Sequence, residues 1–386
     1  MARRATYLDN LWKEDVPVLM VDGGDLFGAR NRNDQHQTTF LCEVTGDLGF
    51  DAIGLGEFDL NYGLPYLREM MQKYKLPFTS ANVRDTTGAL IVPEYLVVER
   101  GGVTFGLISV LDPSLRIVTL TGDEAFFTVA DPVATLRELI PRVRKEARTI
   151  VLVGHLGEST TETILREVKG IDLAVLGHTF RNLTEERLID DTILLGSGYE
   201  GRFIGRANLF VDGSDGKVMA VEVQTTSLDE AVADDAGMLQ RVEDYKASLA
   251  AFKDAKRAAY PRTFGSDKEN FLLDQTCKGC HEGAWDAYAG SGHAQAFATI
   301  RRQGQSTEPE CLSCHTTGYQ YRNGYAEEQP YTRLINVQCE ACHGYGTEHA
   351  RDGKWGSLAK DSCVTCHDQE NSPNFDYASY WEKIKH

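Results

Sequence analysis

Short apolar runs alternate with polar segments along the N-terminal part of the chain. Runs of this kind, rich in Val, Ile and Leu and bounded by Gly, Asp or Asn, predict buried β-strands. The predicted strands are Val16–Val21, Ala52–Leu55, Phe78–Asn82, Val103–Leu111, Ile150–Val153 and Leu173–Leu176, and a β-rich segment runs from Thr192 to Thr226.

Between these strands, the apolar residues recur at helical spacing. This pattern predicts helices at Thr38–Gly46, Leu64–Tyr74, Pro132–Ala147 and Thr160–Val168. Alternating strands and helices are typical of a layered α/β domain, whose functional residues lie in the loops at the carboxyl ends of the strands.

The pattern changes after residue 228. Apolar residues then recur at helical spacing in a segment rich in Ala, Asp, Glu and Lys, which predicts a connecting helix across residues 229–262. These apolar residues are Met238, Leu239, Val242, Tyr245, Leu249 and Phe252. The sequence therefore predicts an α/β domain at residues 1–228, the connecting helix, and a third segment at residues 263–386, mostly α-helical or irregular.

The third segment contains the pattern Cys-x-x-Cys-His four times. Its occurrences are Cys277, Cys280 and His281; Cys311, Cys314 and His315; Cys339, Cys342 and His343; and Cys363, Cys366 and His367. This pattern attaches c-type haem, with both thiols bound to the porphyrin and the His as iron ligand. Zinc also binds Cys-x-x-Cys pairs, but it does not require a His after every second Cys. We therefore expect four covalently attached haems, and we expect Cys42, in an apolar stretch, to be buried.

About 120 residues must then hold four haems, so the porphyrins are expected to form most of the core and to lie close together, as electron transfer requires. A second iron ligand can come from His293, His349 or His386, because all six Met lie at or before Met238. We expect His293 and His349 to serve haems other than the one attached just before them, whereas His386, the final residue, is either a ligand or part of a frayed end of the chain. One iron remains without a candidate, so it is five-coordinate, or is bound by the N-terminal domain or by another chain.

The order of the motifs and the segments Ser291-Gly-His293-Ala and Leu334–Gly344 resemble the tetrahaem cytochrome c family typified by the electron carrier of ammonia oxidation. In that family three haems have two His ligands and the second haem is open. The resemblance implies that the iron bound by His315 is the open one here. Four tyrosines follow that motif and are expected to pack on porphyrin faces, namely Tyr319, Tyr321, Tyr325 and Tyr331.

Polar motifs stand at the ends of four predicted strands in the N-terminal part. They are Asp25, Gly56–Gly63, Val153–Gly157 and Leu176–Phe180. With these motifs, residues 2–228 resemble the catalytic domain of the periplasmic 5'-nucleotidase-type, calcineurin-like metallophosphoesterases. That family reads G-D, G-N-H-[ED]-F-D-x-G, a lone His and G-H-x-H, and it holds two divalent metals between two sheets.

The resemblance matches Asp25 to the bridging carboxylate, and His155 and His178 to ligands of the second metal. Three positions differ from the family: Glu57 replaces a ligand Asn, Phe58 the catalytic His and Phe180 the last His of G-H-x-H. The family's opening D-x-H is absent. The resemblance thus implies one lost metal site and a missing general acid. The set Asp25, Glu57, His155 and His178 suits one zinc, manganese or iron ion, or it is a remnant that only forms hydrogen bonds.

The formal net charge of −17 argues against nucleic-acid binding and favours partners that are basic at their contact face. No apolar run is long enough to span a bilayer. Covalent haem attachment takes place outside the cytoplasm, so we expect a periplasmic or extracellular protein. Residues 1–30 contain no export signal, and we expect that signal and the missing first strand upstream of Met1.

These patterns favour a secreted tetrahaem c-type cytochrome that transfers electrons to and from redox partner proteins, alone or in a homo-oligomer or filament. The phosphoesterase-like domain, which is catalytically impaired in this interpretation, then serves as a scaffold or docking module. Two alternatives remain open. One is an oxidoreductase that acts on a small nitrogen or sulfur species at the open haem; the other is a metal-dependent phosphoesterase that retains one metal. We expect an electron-transfer protein rather than a hydrolase.

Overall fold

A computed structural model gives the fold of the chain. It describes residues 1–27, 34–119, 126–179, 183, 185–196, 198, 201–212, 218–265, 269–302, 305–326, 333–353, 361–368, 372 and 374–386. The chain forms two compact units, Met1–Lys246 and Ala247–His386, and each is described by itself. No helix among these residues is both long enough and apolar enough to cross a membrane.

The N-terminal unit alternates helices and strands. In chain order they are α1 (Ala2–Trp12), β1 (Val21–Asp22), α2 (Asp34–Leu48), β2 (Ala52–Gly54), α3 (Gly63–Tyr74), β3 (Phe78–Thr79), β4 (Val83–Asp85), β5 (Tyr95–Arg100), β6 (Val103–Leu111), β7 (Phe127–Val129), α4 (Pro132–Val143), β8 (Thr149–His155), α5 (Glu158–Glu167), β9 (Leu173–Leu176), β10 (Arg187–Ile189), β11 (Thr192–Gly196), β12 (Phe203–Val211) and β13 (Val218–Ser227). Helix α6 (Ala236–Ala259) follows them.

The largest sheet has the strand order β10-β11-β9-β8-β6-β5. Its central strands β6, β8, β9 and β11 are parallel, and β5 and β10 pair antiparallel at the edges. Strand β8 is buried along its whole length, which explains its continuous apolar sequence, because helices and a second layer cover both faces of such a sheet.

A second layer contains the parallel sheet β1-β2-β3, the antiparallel ribbon β12-β13 and the pair β4-β7. One hydrophobic cluster joins the large sheet to α4 and α5 through Leu136, Leu139 and Ile164. Another lies between the sheets, where Leu107 and Val153 pack with the partly buried Val21. The carboxyl ends of β1, β2, β8 and β9 therefore come from two facing sheets.

The C-terminal unit contains only short helices in its described part beyond α6. They are α7 (Asp274–Lys278), α8 (Glu282–Ala289), α9 (Ala296–Arg302), α10 (Pro309–His315), α11 (Cys339–His343), α12 (Thr347–Asp352), α13 (Asp361–Val364) and α14 (Tyr377–Trp381). Its hydrophobic cluster has five buried members, Ile300, Leu312, Tyr319, Tyr325 and Leu334. Both parts of the predicted fold class are confirmed: a layered α/β unit is followed by a mostly helical or irregular one.

The predicted strand bounds are correct at Val103–Leu111 and Leu173–Leu176. The buried strand predicted at Val16–Val21 is wrong for most of its length: β1 contains Val21 and Asp22 alone, and Val16 is 45% exposed. Pro17 lacks a backbone donor, and the partner strand β2 has three residues, so the ladder cannot extend further. The strand predicted at Phe78–Asn82 ends at Thr79.

Candidate metal centre and haem-binding histidines

The loop after β1 carries Asp25 into the space between the two sheets. Gly24 has a φ of +99°, and a Cβ at this position would lie 2.7 Å from the carbonyl oxygen of Gly54. A residue with a side chain would therefore be strained and would also clash there. Asp25 itself has a φ of +59°, so the Asp22-Gly-Gly-Asp25 turn fixes the direction of its carboxylate.

A buried carboxylate, that of Asp59, joins this loop to the loop after β2. It accepts hydrogen bonds from the backbone N–H groups of Asp25 at 2.9 Å, Phe27 at 3.0 Å and Gly56 at 2.8 Å. Burial and the nearby Asp25 carboxylate raise the pKa of Asp59 to about 8. The sequence alone predicts no role for Asp59, although it lies at the [ED] position of the segment that resembles G-N-H-[ED]-F-D-x-G.

The structure brings all four predicted metal ligands together at the ends of β1, β2, β8 and β9. Ligand atoms of Asp25, Glu57, His155 and His178 lie within 4.8 Å of one another. The Nε2 atom of His155 is at the centre, 2.9 Å from Glu57 Oε2, 3.4 Å from Asp25 Oδ2 and 3.2 Å from His178 Nδ1. Four ligand atoms this close match the size of a single-ion site, since zinc-ligand distances are about 2.0–2.2 Å.

The orientation of His155 suits a ligand. Its Nδ1 lies 2.7 Å from the carbonyl oxygen of Gly23; this oxygen can only accept, so Nδ1 is the donor and Nε2 faces the carboxylates. Such a hydrogen bond from the far nitrogen is typical of metal-bound His. Burial alone would lower the pKa of His155, but the adjacent Asp25 and Glu57 carboxylates raise it to about 10. A cation, either a proton or a metal ion, is therefore strongly favoured here.

Glu57 provides the test of whether a metal fits. Its side chain is 7% exposed, and Oε2 has no hydrogen-bond partner of suitable geometry, although His155 Nε2 lies 2.9 Å away. Burial raises the pKa of Glu57, but the close approach of the His155 imidazole outweighs it, and the pKa is lowered overall. A buried, ionised oxygen without a donor is costly. A divalent ion among the four side chains would remove this cost, so the residues present fit a metal.

Phe58, where the phosphoesterase pattern has its catalytic His, keeps a structural role at the site. Phe58 begins a 3₁₀ turn, Phe58–Leu60, and its backbone N–H donates to Asp25 Oδ1 at 2.9 Å. It therefore positions Asp25 through its backbone, and its side chain offers neither a proton nor a ligand atom. The predictions for Phe180 and Tyr331 lie outside the described residues.

The second and third cysteine motifs lie within α10 and α11, whereas the first and fourth begin in α7 and α13 and extend past the ends of these helices. In α10 and α11, the two Cys and the His occupy positions i, i+3 and i+4, which share one face of a helix. Both thiols and the imidazole can therefore approach one porphyrin. All nine cysteines are described residues, none forms a disulfide, and Cys42 is buried.

The three predicted distal His each lie opposite the His of a different motif. The ring centroids are 5.8 Å apart for His281 and His349, 6.1 Å for His367 and His293, and 5.7 Å for His343 and His386. Imidazole nitrogens bind metals at about 2 Å, so one iron between two rings would place their centroids roughly 6 Å apart. The spacing fits haem in all three pairs.

His315 differs from the other three motif histidines. Its Nδ1 lies 2.7 Å from the carbonyl oxygen of Ala296, which fixes the ring. Across the described part of the chain, no second imidazole faces it. The resemblance singled out this same position as the open one.

The cysteines also show which motifs are neighbours. The neighbouring Cys339 thiol lowers the pKa of Cys277, and the neighbouring Cys366 thiol lowers the pKa of Cys314. The charge of Cys363 contributes to raising the pKa of Cys342, after the larger effect of burial. The first motif therefore adjoins the third, the third adjoins the fourth, and the fourth adjoins the second.

Comparison with known proteins finds different relatives for the two parts of the chain. Residues 276–344 match the family model described as cytochrome c554 and c-prime. The chain joins a 5'-nucleotidase-type phosphoesterase domain to a cytochrome c554-like domain. The phosphoesterase relatives include the 5'-nucleotidase of Rattus norvegicus, 25% identical over 187 residues, and the trifunctional nucleotide phosphoesterase YfkN of Bacillus subtilis, 25% identical over 210 residues.

These matches cover 46% of this chain but 32% of the rat protein and 14% of YfkN, so the chain spans a third or less of their length. Among solved structures, the sulfate thiohydrolase SoxB of Thermus thermophilus has a TM-score of 0.58 at 18% identity, covering 66% of this chain and 47% of that one. A 5'-nucleotidase precursor from the same species has a TM-score of 0.56 at 20% identity, covering 65% and 53%. At these identities, the structures establish the phosphoesterase-like fold.

Proposed function

We propose that this protein is a secreted tetrahaem c-type cytochrome that transfers electrons between redox partner proteins. The observation that carries the proposal is the set of three histidine pairs, with ring centroids 5.7–6.1 Å apart, each joining two distant parts of the chain. When bound, haem supplies one-electron chemistry at iron. Two imidazoles on one iron leave no position for a substrate, as expected for a carrier.

The spatial order of the four attachment motifs suits stepwise electron transfer from haem to haem. The effect of the Cys339 thiol on the pKa of Cys277, and of the Cys366 thiol on that of Cys314, supports an arrangement with the first motif beside the third and the fourth beside the second. Burial lowers the pKa values of His293, His343 and His367, which keeps these imidazoles neutral and able to bind iron. We propose the order first, third, fourth, second, which ends at His315.

The N-terminal domain acts as a scaffold or docking module in this proposal. Phe58 supplies no acid where the phosphoesterase pattern has His. The net charge of −17 favours a redox partner that is basic at its contact face. Export to the periplasm or cell exterior is part of the proposal, because haem attachment takes place there.

Paramagnetic resonance of the oxidised, haem-loaded protein tests the proposal. Three paired sites and one open site predict a high-spin ferric signal from about one quarter of the haem. An all-low-spin spectrum would show that a further ligand reaches the iron at His315. A high-spin majority would contradict the three pairs and with them the proposed carrier.

His315 also favours a second function, in which the protein is an oxidoreductase acting on a small nitrogen or sulfur species. A site without a second imidazole leaves one face of the iron accessible to such a molecule. Carbon monoxide or nitric oxide added to the reduced protein separates the two functions. Binding to about one haem in four supports the oxidoreductase; no binding leaves the carrier.

The metal centre is a separate part of the proposal: Asp25, Glu57, His155 and His178 hold one zinc, manganese or iron ion. Elemental analysis of the haem-loaded protein should find one metal equivalent beyond haem iron. Glu57→Ala should lose it, and Glu222→Ala, on the partly exposed strand β13, should retain it. Equal metal content in both variants would contradict the site. A retained metal keeps phosphoester hydrolysis as an alternative, testable with a chromogenic phosphodiester.

A further inference from the structure

The histidine of the fourth attachment motif has a hydrogen-bond partner in the segment that follows the motif. The Nδ1 atom of His367 lies 3.1 Å from the hydroxyl oxygen of Ser372. The N–H of this serine donates to the carbonyl oxygen of Asp368 at 2.9 Å, and its own carbonyl oxygen accepts from the N–H of Phe375 at 2.9 Å. The chain after the motif therefore turns back and brings a hydroxyl group to the imidazole.

Two aromatic rings pack against the same imidazole. The Phe375 ring stacks on His367 with centroids 4.6 Å apart and an interplanar angle of 9°. The Tyr380 ring meets His367 edge to face at 5.5 Å and 75°, and Phe375 and Tyr380 pack against each other at 5.0 Å and 74°. Rotation of the imidazole about its Cβ–Cγ bond would break the stack and the hydrogen bond together. These contacts therefore fix the plane of the ring and the direction of Nδ1.

The hydrogen bond at Nδ1 leaves Nε2 as the nitrogen that can bind iron. His367 faces His293 with ring centroids 6.1 Å apart, which fits one iron between two imidazoles. A histidine that binds iron through Nε2 carries its proton on Nδ1 and can only donate from that atom. The Ser372 hydroxyl oxygen is then the acceptor. A hydrogen bond of this kind raises the basicity of the ligand, and a more basic ligand stabilises ferric iron relative to ferrous iron.

We propose that Ser372 is a positioning residue that sets the reduction potential of the fourth haem through its hydrogen bond to His367. The hydroxyl keeps the imidazole basic and holds the potential below that of a site without an acceptor. This inference rests on the proposed function, because it needs a haem at the fourth motif. In the proposed order this haem is the last before the site at His315, so its potential determines the driving force of the final electron transfer.

The second motif has a related hydrogen bond that mutation cannot remove. The Nδ1 atom of His315 lies 2.7 Å from the carbonyl oxygen of Ala296. A backbone carbonyl stays in place whatever side chain is substituted, whereas Ser372→Ala removes the hydroxyl. Of these two motifs, the fourth is therefore the one at which the acceptor can be varied.

Potentiometric titration of the haem-loaded full chain, followed by paramagnetic resonance, tests the proposal. The fourth haem is identified first, as the low-spin signal that His293→Ala converts to high spin. Ser372→Ala should raise the midpoint potential of this signal. We expect the ratio of ferrous to ferric haem at a fixed potential to rise about threefold, which corresponds to about 28 mV for one electron. The high-spin fraction should stay as in the parent protein, because Phe375 and Tyr380 still hold the ring.

Two further variants separate the hydrogen bond from a general change in the segment. Ser372→Thr retains a hydroxyl group and should restore the parent potential. Ser379→Ala is the matched control, since Ser379 lies in α14 beside Tyr380 and its hydroxyl donates to the carbonyl oxygen of Asp376 at 3.1 Å, rather than to a histidine. Its potential should equal that of the parent protein.

An unchanged potential in Ser372→Ala would overturn the role of Ser372. A rise of the same size in Ser372→Thr or in Ser379→Ala would overturn it too, because the shift would then not depend on the hydroxyl at position 372. Failure of the proposed function has a different signature, a high-spin majority in the parent protein before any substitution.

Discussion

The two units of the molecule fill their interiors in different ways. The N-terminal unit buries extensive clusters of side chains around its large sheet, with residues such as Leu107, Leu136 and Val153 almost fully enclosed. The C-terminal unit, in its described part, has one cluster with five buried members. Side chains alone thus give the second unit little to offset the conformational entropy that folding removes.

The two units also differ in the length of their helices and strands. Strands β6 and β8 are long and central, whereas helices α7–α14 have eight residues or fewer. Helices this short are not stable by themselves in water. The comparison indicates that the apolar pattern specifies the first unit, whereas the second depends on the proposed covalent attachment of haem.

Blocking one haem attachment should produce the largest effect. Replacing Cys339 and Cys342 by Ala removes the third site, which adjoins the first and the fourth, and we expect Ala247–His386 to unfold while Met1–Lys246 stays folded. Limited proteolysis with mass identification of the fragments measures this. Cys42→Ala is the control: it should keep full haem content and cost about 1 kcal/mol in the N-terminal unit, as single core substitutions do. Continued protection of Ala247–His386 in the double variant would contradict the comparison.

A smaller effect is expected from Asp59→Ala in the N-terminal unit. Three backbone N–H groups lose their acceptor, and buried donors without a partner cost about 1–3 kcal/mol each, partly relieved by water. We expect a loss of about 3 kcal/mol in the free energy of unfolding of this unit and loss of the proposed metal ion. Thermal unfolding followed by circular dichroism measures the stability.

Asp85→Ala is the matched control for Asp59. Its Oδ1 also accepts three hydrogen bonds, from Thr87 N, Thr87 Oγ1 and Ala89 N, but in an exposed turn. Water can replace these bonds, so the cost should stay within about 1 kcal/mol. Equal losses of unfolding free energy in the two variants would show that burial does not increase the cost of removing the Asp59 hydrogen bonds.

The sequence predicts the first unit better at its centre than at its edges. Val103–Leu111 and Leu173–Leu176 are found with correct bounds because strands buried on both faces are continuous apolar runs. The edge strand Tyr95–Arg100 was not predicted, since its apolar run is short, two charged residues follow it, and none of its residues is fully buried. Helix Ala2–Trp12 was not predicted either, and it buries only Ala2 and Leu8.

The ligands of the candidate metal site were predictable from the resemblance, whereas the buried polar residues that bind the surrounding backbone were not. Motifs at strand ends indicated Asp25, Glu57, His155 and His178, and the structure brings them together. Buried polar residues that serve the backbone leave no periodic signal. Asn82 is such a residue: it bonds the backbone of Leu111 and Ala130. In the second unit, the motifs are visible in the sequence, but the pairing of distant histidines depends on the folded chain.

The smallest effect is expected from substitution of a single distal histidine, which tests one histidine pair at a time. His349→Ala should leave the iron held by His281 with one protein ligand, because their rings face each other at 5.8 Å. Both units should remain folded, since the thioether bonds at Cys277 and Cys280 are unaffected. The high-spin ferric fraction should rise from about one quarter to about one half of the haem, because one more iron loses its second imidazole.

His36→Ala, which changes a histidine of the N-terminal unit, is the control and should leave the spin states unchanged. An unchanged high-spin fraction in His349→Ala would mean that another group binds the iron at His281. Loss of every low-spin signal would mean that this one ligand holds the whole unit together. A rise confined to one haem would support the comparison: covalent attachment determines whether the second unit folds, and each distal histidine determines the state of one iron.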